Sequence, residues 1–316
     1  MPPSPSVLYV LGQDRSGSTI LGEALAARPG WVHIGELRHL WAAGLLRDGL
    51  CGCGTPVREC EFWSAVLSRA FPDGTPDPAA VLRWQRAAVQ IRHLPGLLNG
   101  SALRSGPAAA CARVYGRLYE AVAEVAGAHV IVDSSKSPTH GALITHLPAV
   151  DVAFLHLIRD PRATAHSWTR GKRAPGQNPR EEMWRMPAWR AARAWLLSNA
   201  IADRVRRHHR SMVMRYEDVM ADPRRSLGAI TSLVGQPPQS EVPLEGRWVE
   251  LPTSHTASGN PDRFRTGPVE LRDDDAWRTD QRPLDRFTVT VMTLPLLHRF
   301  GYPVAASRRG REGARA

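Results

Sequence analysis

The chain lacks several things that would have settled its class at once. No apolar run approaches the ~18–20 residues that a membrane-crossing helix needs, so a transmembrane protein is not expected. The start, Met-Pro-Pro-Ser-Pro, has neither the basic stretch nor the long apolar segment of a secretory signal, and a cytoplasmic protein is expected. Cysteine is scarce at four residues: Cys51, Cys53 and Cys60 sit together in CGCGTPVREC, and Cys111 stands apart. C-x-C plus one further cysteine has neither the usual C-x-x-C pairing nor a fourth ligand nearby in sequence. The cluster therefore reads as reduced thiols in a tight glycine-containing turn, with a local disulfide as the alternative. No zinc-finger spacing and no aromatic-basic RNA signature accompanies the charge.

A further absence is more informative. Residues 7–19 run from a short apolar strand into a glycine- and hydroxyl-rich turn, with Gly12 and Gly17 spaced as in a phosphate-binding loop. Ser18 stands where a nucleotide hydrolase of that kind carries lysine, and Arg15 is the only cation in the turn. Such a loop still offers backbone N–H groups and a helix N-terminus to an anion. Without the lysine, and without a convincing acidic pair for Mg²⁺, it is poorly equipped to hydrolyse ATP or GTP.

The 316 residues are 43% hydrophobic and carry a net charge of +11, which suits a polyanionic partner. Much of that charge is arginine, including a basic tail, 307–316, expected to be disordered beyond a domain spanning 1–306. Apolar runs at Val7–Leu11, Val130–Val132, Val152–Ile158 and Met212–Arg215 lack polar alternation, as buried parallel strands do. Helical patterns fall at Thr19–Ala27, Glu61–Phe71, Ala79–His93, Ala108–Ala126, Ala188–His208 and Pro223–Val234. Pro72–Pro78, Pro95–Pro107, Lys172–Pro187 and Gln236–Asp275 read as loops. Strands alternating with helices predict a single doubly wound α/β domain with a central parallel sheet and helical insertions.

A second anion site is legible in AFLHLIRDPRATAHSW. A strand ends at Ile158, Arg159 emerges at its carboxyl edge, Asp160 can cap a helix and Pro161 suits its first position. Ser167 falls two turns beyond Asp160 on the same side, so Arg159 and Ser167 can converge above the sheet, where open α/β folds bind ligands. Arginine supplies a bidentate fork for phosphate. Lys136 in Asp133-Ser-Ser-Lys follows another buried strand and projects from the same edge.

On these residues the chain resembles the 3′-phosphoadenosine-5′-phosphosulfate (PAPS)-dependent sulfotransferases, in particular the bacterial and tyrosylprotein-type branch. GQDRSGSTIL and HLIRDPRATAHSW carry the likeness, with VDSSKSP (132–138), RYEDVMADPRRSLGAI (215–230) and SGNPDRFRTG (258–267). The resemblance implies a P-loop-like sulfotransferase fold and a turn, with Arg15, Ser16, Gly17, Ser18 and Thr19, that cradles the 5′-phosphosulfate. It implies that Arg159 and Ser167 hold the 3′-phosphate, Arg170 or Lys172 assisting. Lys136 then stabilises the bridging oxygen, and Glu36, in a Gly35-Glu36-Leu37 segment matching the relatives' GET/GEL, is the general base. His33 and His39 are its reserves. A carboxylate in a partly buried cleft can have a raised pKa that suits that work. Tyr216 either contacts adenine or forms a core wall, and Ser258, Gly259, Asn260, Arg263 and Arg265 lie in a late loop that closes over the nucleotide. Arg263 is the favoured contact there.

The leaving group, 3′,5′-ADP, is a stable polyanion, so no metal is demanded. Trp184, Trp189 and Trp195 read as core rather than as an acceptor cage. The acceptor class stays open. An Ala-, Arg-, Gly- and Pro-rich composition suggests a high-GC bacterial source and so favours a small metabolite or glycolipid hydroxyl over a secretory protein. An ATP-dependent small-molecule kinase and a basic nucleic-acid-binding protein are the alternative readings.

Overall fold

Apolar residues on both sides of a strand require cover on both faces, and that requirement organises the chain. In the computed structural model, which describes residues 4–148, 150–170, 185–235 and 242–304, β1 (Ser6–Gly12) is buried along nearly its whole length. It leads through a turn into α1 (Ser18–Ala26) and then β2 (Trp31–His33). A 3-10 turn (Leu37–His39), a π-helical stretch (Leu40–Leu46) and four helices follow: α2 (Glu61–Ala70), α3 (Pro78–Ala88), α4 (Leu94–Leu98) and α5 (Gly106–Ala126). Then come β3 (Val130–Lys136), α6 (Pro138–Ile144), β4 (Asp151–Ile158), α7 (Pro161–Arg170), α8 (Ala188–Arg206) and β5 (Ser211–Arg215). After α9 (Tyr216–Ala221) and α10 (Pro223–Leu233), three short strands, β6 (Leu244–Glu245), β7 (Trp248–Leu251) and β8 (Gly267–Glu270), precede α11 (Trp277–Asp280) and α12 (Pro283–Arg299).

The five long-range strands form one parallel sheet in the order β2-β3-β1-β4-β5. Alternate residues of β1 enter opposite cores. Val7, Tyr9 and Leu11 pack with α2, α3, α5 and α6, whereas Leu8 and Val10 pack with α1, α9, α10 and the antiparallel β6–β7–β8 layer. The doubly wound α/β architecture is thus as read from the sequence.

Local rules explain the helix starts. Asp77 accepts from the amides of Ala79 (3.0 Å) and Ala80 (3.2 Å), and Asp222 accepts from that of Arg225 (3.1 Å). Asp160 accepts from that of Arg162 (2.9 Å). A proline follows each of these aspartates at the first helical position, where no N–H is needed. Along α5 the buried positions 108, 111, 115, 118 and 122 recur at helical spacing, and Gly127 ends it in the left-handed region at φ 58°.

Several boundaries differ from expectation. The helix expected over Ala79–His93 stops at Ala88, and a 3-10 turn covers Ile91–His93. The loop expected over Pro95–Pro107 holds α4 and a 3-10 turn, Ser101–Leu103, because Pro95 sits in the first turn of α4, where it is tolerated. The described part of Gln236–Asp275 contains β6, β7, β8 and a 3-10 turn, Pro261–Phe264. Strands of two to four residues leave little alternation to detect. No helix among the described residues is long and apolar enough to cross a membrane. The tail 307–316, Lys172 and Trp184 lie outside the described residues.

Gly12 joins β1 to the turn at φ 141°, and a Cβ there would collide with the carbonyl oxygen of Leu157 in β4. Gly12→Ala should therefore cost about 1–3 kcal/mol in backbone strain plus the clash, read as a lowered urea midpoint. An unchanged midpoint would contradict this register.

Candidate functional site

The carboxyl edge of the sheet gathers the turn after β1, the end of β3 and the turn after β4. Among described non-glycine residues, positive φ occurs at Arg15 (72°), Asp48 (52°) and Lys136 (63°). Two of these backbone-strained residues therefore lie at this edge, and such strain persists only where surrounding structure enforces it. At Lys136 the cause is visible: the β1–β3 register shifts between Tyr9, opposite Asp133, and Leu11, opposite Lys136. The bulge turns the lysine inward to 5% exposure.

Lys136 Nζ donates to Glu36 Oε1 at 2.6 Å, to the Ser134 carbonyl at 2.9 Å and to Ser18 Oγ at 3.4 Å, with Asp14 Oδ1 at 3.6 Å. Glu36 Oε2 faces His39 Nε2 at 3.5 Å and Arg38 at 3.9 Å. The Glu36 side chain makes no capping bond to the turn that follows it. Burial pushes its pKa up, but Lys136, His39 and Arg38 outweigh burial and hold it below the usual carboxylate value. The raised pKa anticipated from a half-buried cleft is thus corrected: the neighbour that reverses it is 100 residues away. His39, desolvated and beside Arg38, is lowered to about 4. His33 is committed elsewhere, to Glu23 at 3.1 Å and Ser134 Oγ at 3.0 Å.

The two anion loops meet. Arg159 donates through NH1 to the Arg15 carbonyl at 3.3 Å and through NH2 to the Asp274 carbonyl at 3.0 Å, with Asp274 Oδ2 at 3.4 Å. Its guanidinium lies over the Tyr216 ring at 4.6 Å, and Trp195 Nε1 donates to its carbonyl at 2.9 Å. Arg15 lies over Trp168 at 4.8 Å. Buried atoms left without a partner include Arg15 NH1 and NH2, Ser16 Oγ and Arg159 Nε. Unpartnered buried donors cost free energy unless a ligand satisfies them, so this donor set fits a phosphate-bearing group. The α1 N-terminus adds amides at Gly17–Thr19 beside buried Ser18 and Thr19. Ser167 is buried on α7, and Arg170 points to Asp274 at 3.4 Å.

Tyr216 forms a wall. Its ring occupies the space where a Gly17 Cβ would sit, and its hydroxyl donates to the Arg272 carbonyl at 3.3 Å. In the late segment Ser258 accepts from the Glu36 amide through its carbonyl at 3.0 Å, and Gly259 approaches Thr19. Asn260 caps the turn after it by accepting from the Asp262 amide at 3.2 Å. Arg263 donates to the carbonyls of Gly259 (2.7 Å) and Leu50 (3.1 Å), so its NH groups staple loops, while Arg265 is exposed. Trp195 is core and Trp189 is exposed.

Sequence reasoning passed over Trp168, adjacent to Ser167, as well as Asp274 and His255. His255 Nδ1 lies 3.3 Å from Cys60 Sγ and 3.8 Å from Cys51 Sγ, so the cysteine cluster does have a fourth partner. No short-range pattern could reveal it. An apolar groove of about 410 Å³ along α12, lined by Phe287, Val291 and Leu294, includes none of the residues at the sheet edge.

Sheet order and turn define an α/β protein with a P-loop-like fold. The model of the sulfotransferase family matches residues 6–240, and the chain belongs to that family of transferases. No curated protein matches it in sequence. In structure it is similar to a sulfotransferase domain from the curacin biosynthetic pathway, at 17% identity over 95% of this chain and 98% of that one, TM-score 0.52. A sulfotransferase domain from the Synechococcus PCC 7002 olefin synthase is similar at 22% identity, over 95% and 96%, TM-score 0.47. A sulfotransferase from Mycobacterium avium matches at 16% identity, over 95% and 78%, TM-score 0.49.

Because the Glu36 pKa is depressed in the folded chain, its ionised form stabilises the fold above the ordinary carboxylate range. That contribution disappears as pH falls through the depressed value. Urea midpoints of wild type and Glu36→Gln should differ most near neutrality and converge as pH falls below the ordinary carboxylate range. A gap that widens on acidification would contradict the ion pair.

Proposed function

We propose that the chain transfers a sulfuryl group from PAPS to a hydroxyl of a small-molecule or glycolipid acceptor, with Glu36 as general base. The observation that carries this reading is the contact of Arg159 with the Arg15 carbonyl at 3.3 Å, which joins the turn after β4 to the turn after β1, at the same sheet edge as the Lys136–Glu36 pair. The Gly12–Thr19 turn takes the 5′-phosphosulfate on its amides, on Ser16 and on Arg15. Arg159 and Ser167 take the 3′-phosphate, and Ser258–Arg263 form the cover above Thr19 and Glu36. Tyr216 supports Gly17 and Arg159 from below.

In the transfer the acceptor oxygen forms a bond to sulfur as the bond from sulfur to the 5′-phosphate oxygen breaks. The electron pair leaves on 3′,5′-ADP. Lys136 stabilises charge developing on the bridging oxygen, and Glu36 accepts the acceptor's hydroxyl proton. The Lys136–Glu36 pair couples these roles. When the ammonium turns to the bridging oxygen, Glu36 loses its strongest neutralising partner, and burial then raises its proton affinity. A carboxylate weakly basic at rest becomes a better base once the donor is in place.

Calorimetric titration without magnesium should show micromolar-range binding of 3′,5′-ADP, with ATP much weaker and 5′-AMP weaker still. Arg159→Ala should weaken 3′,5′-ADP binding by about tenfold or more. Equal affinity for AMP and 3′,5′-ADP would remove the role given to Arg159 and Ser167, and tight Mg·ATP binding would favour a kinase. Glu36→Gln should keep nucleotide binding and lose about 10²–10⁴-fold in turnover. Mass spectrometry of a host extract incubated with enzyme and PAPS, seeking the gain of one SO₃, identifies the acceptor.

A further inference from the structure

Cys51, Cys53, Cys60 and His255 bring one ligand atom each to a common point, all four atoms within 4.8 Å of one another. The separations are 3.6 Å for Cys60–Cys51 and 3.8 Å for Cys53–Cys60 between sulfurs, and 3.3 and 3.8 Å from His255 Nδ1 to Cys60 and Cys51. A tetrahedral zinc ion with Zn–S of about 2.3 Å and Zn–N of about 2.05 Å requires edges of about 3.8 Å between sulfurs and about 3.5 Å from sulfur to nitrogen. The four closest ligand–ligand contacts, 3.3–3.8 Å, lie near those edges, and every other separation among the four atoms is within 4.8 Å. A disulfide would need two sulfurs within bonding distance, and all four cysteines are free thiols.

The surroundings hold the four groups in that arrangement. Cys51 and Cys60 are buried, and the turn between them is closed by Cys51 N–H to the Thr55 carbonyl (2.7 Å) and Gly54 N–H to the Cys51 carbonyl (2.9 Å). Gly54 adopts φ 91° there. Thr55 Oγ1 lies 3.2 Å from Cys53 Sγ, placed to donate to a thiolate. The two residues after Glu61 orient the histidine: Phe62 stacks on its ring at 4.9 Å and 13°, and Trp63 Nε1 donates to its carbonyl at 2.8 Å. Such ordering of a ligating histidine by its neighbours is what a metal site requires.

We propose that these four residues form a structural zinc(II) site that ties the Cys51–Cys60 loop to the late segment. Three thiols release their protons on binding, and the neutral imidazole coordinates through Nδ1. Four protein ligands leave no open position, so the ion serves the fold and takes no part in the transfer. Its mechanical reach is short. Directly after His255, the Thr256 carbonyl accepts from Gly52 N–H (3.0 Å), Ala257 N–H donates to the Ile34 carbonyl (3.1 Å) and the Ser258 carbonyl accepts from Glu36 N–H (3.0 Å). The ion thereby fixes the segment that lies against the Glu36 backbone. This site stands on its own geometry, whatever group the enzyme transfers.

The test begins with the wild-type chain, expressed in zinc-supplemented medium without a metal-binding tag and passed over a chelating resin. Elemental mass spectrometry should find about one zinc per chain, and Co²⁺ exchange should give the intense visible bands of a tetrahedral, thiolate-rich site. Cys60→Ser and His255→Ala should each lower retained zinc by tenfold or more. Chelation of the wild type should speed amide exchange at Ala257 and Glu36 while the sheet core stays protected. Zinc below about a tenth of an equivalent, stoichiometric iron in its place, an octahedral cobalt spectrum, or a disulfide among the three cysteines would each overturn the assignment.

Discussion

Arginines at the sheet edge are held in place by aromatic faces, and the donors this leaves open follow from that choice. Arg15 rests on Trp168, Arg159 on Tyr216 and Arg263 on Phe264. A ring attracts a guanidinium by about 0.5–2 kcal/mol without occupying any of its N–H groups. A carboxylate would hold it more firmly but would consume the same donors that a phosphate needs. Arg15 keeps both terminal nitrogens unpartnered, whereas Arg159 shares its fork between backbone carbonyls and Asp274. Like charges are thereby stored close together, with the remaining attraction left for a ligand.

Lys136 shows the opposite arrangement. Its ammonium is satisfied by Glu36, a carbonyl and a hydroxyl, and burying such a pair carries a desolvation cost that only close geometry offsets. A β-bulge and a left-handed backbone put it there. The pair holds a carboxylate ionised beside the turn, so its basicity is governed by what the lysine touches.

The late segment completes this edge from a distance. Ser258 is bonded to the Glu36 backbone, Asp274 to Arg159 and Arg263 to Leu50. The β7–β8 pair supports this segment on the α1 face of the sheet. His255 sits in the same stretch, against the cysteine turn. The late segment is therefore anchored at several points along its length.

Much of this was legible in the residues. The apolar runs of β1, β3, β4 and β5, the glycines of the first turn, and Asp160-Pro161 at the start of α7 are local signals, because strand period, turn conformation and capping act over a few residues. The same reasoning placed Arg15, Lys136 and Arg159 at one sheet edge. It could not see that Trp168 lies under Arg15, that Tyr216 lies under Arg159, that Lys136 lowers the Glu36 pKa, or that His255 joins cysteines some 195 residues away in sequence. Those facts depend on the order β2-β3-β1-β4-β5 and on a bulge between two strands. Chain order and residue type set which groups the edge could hold. Only the folded sheet decided which of them touch, because electrostatics and coordination depend on separation in space.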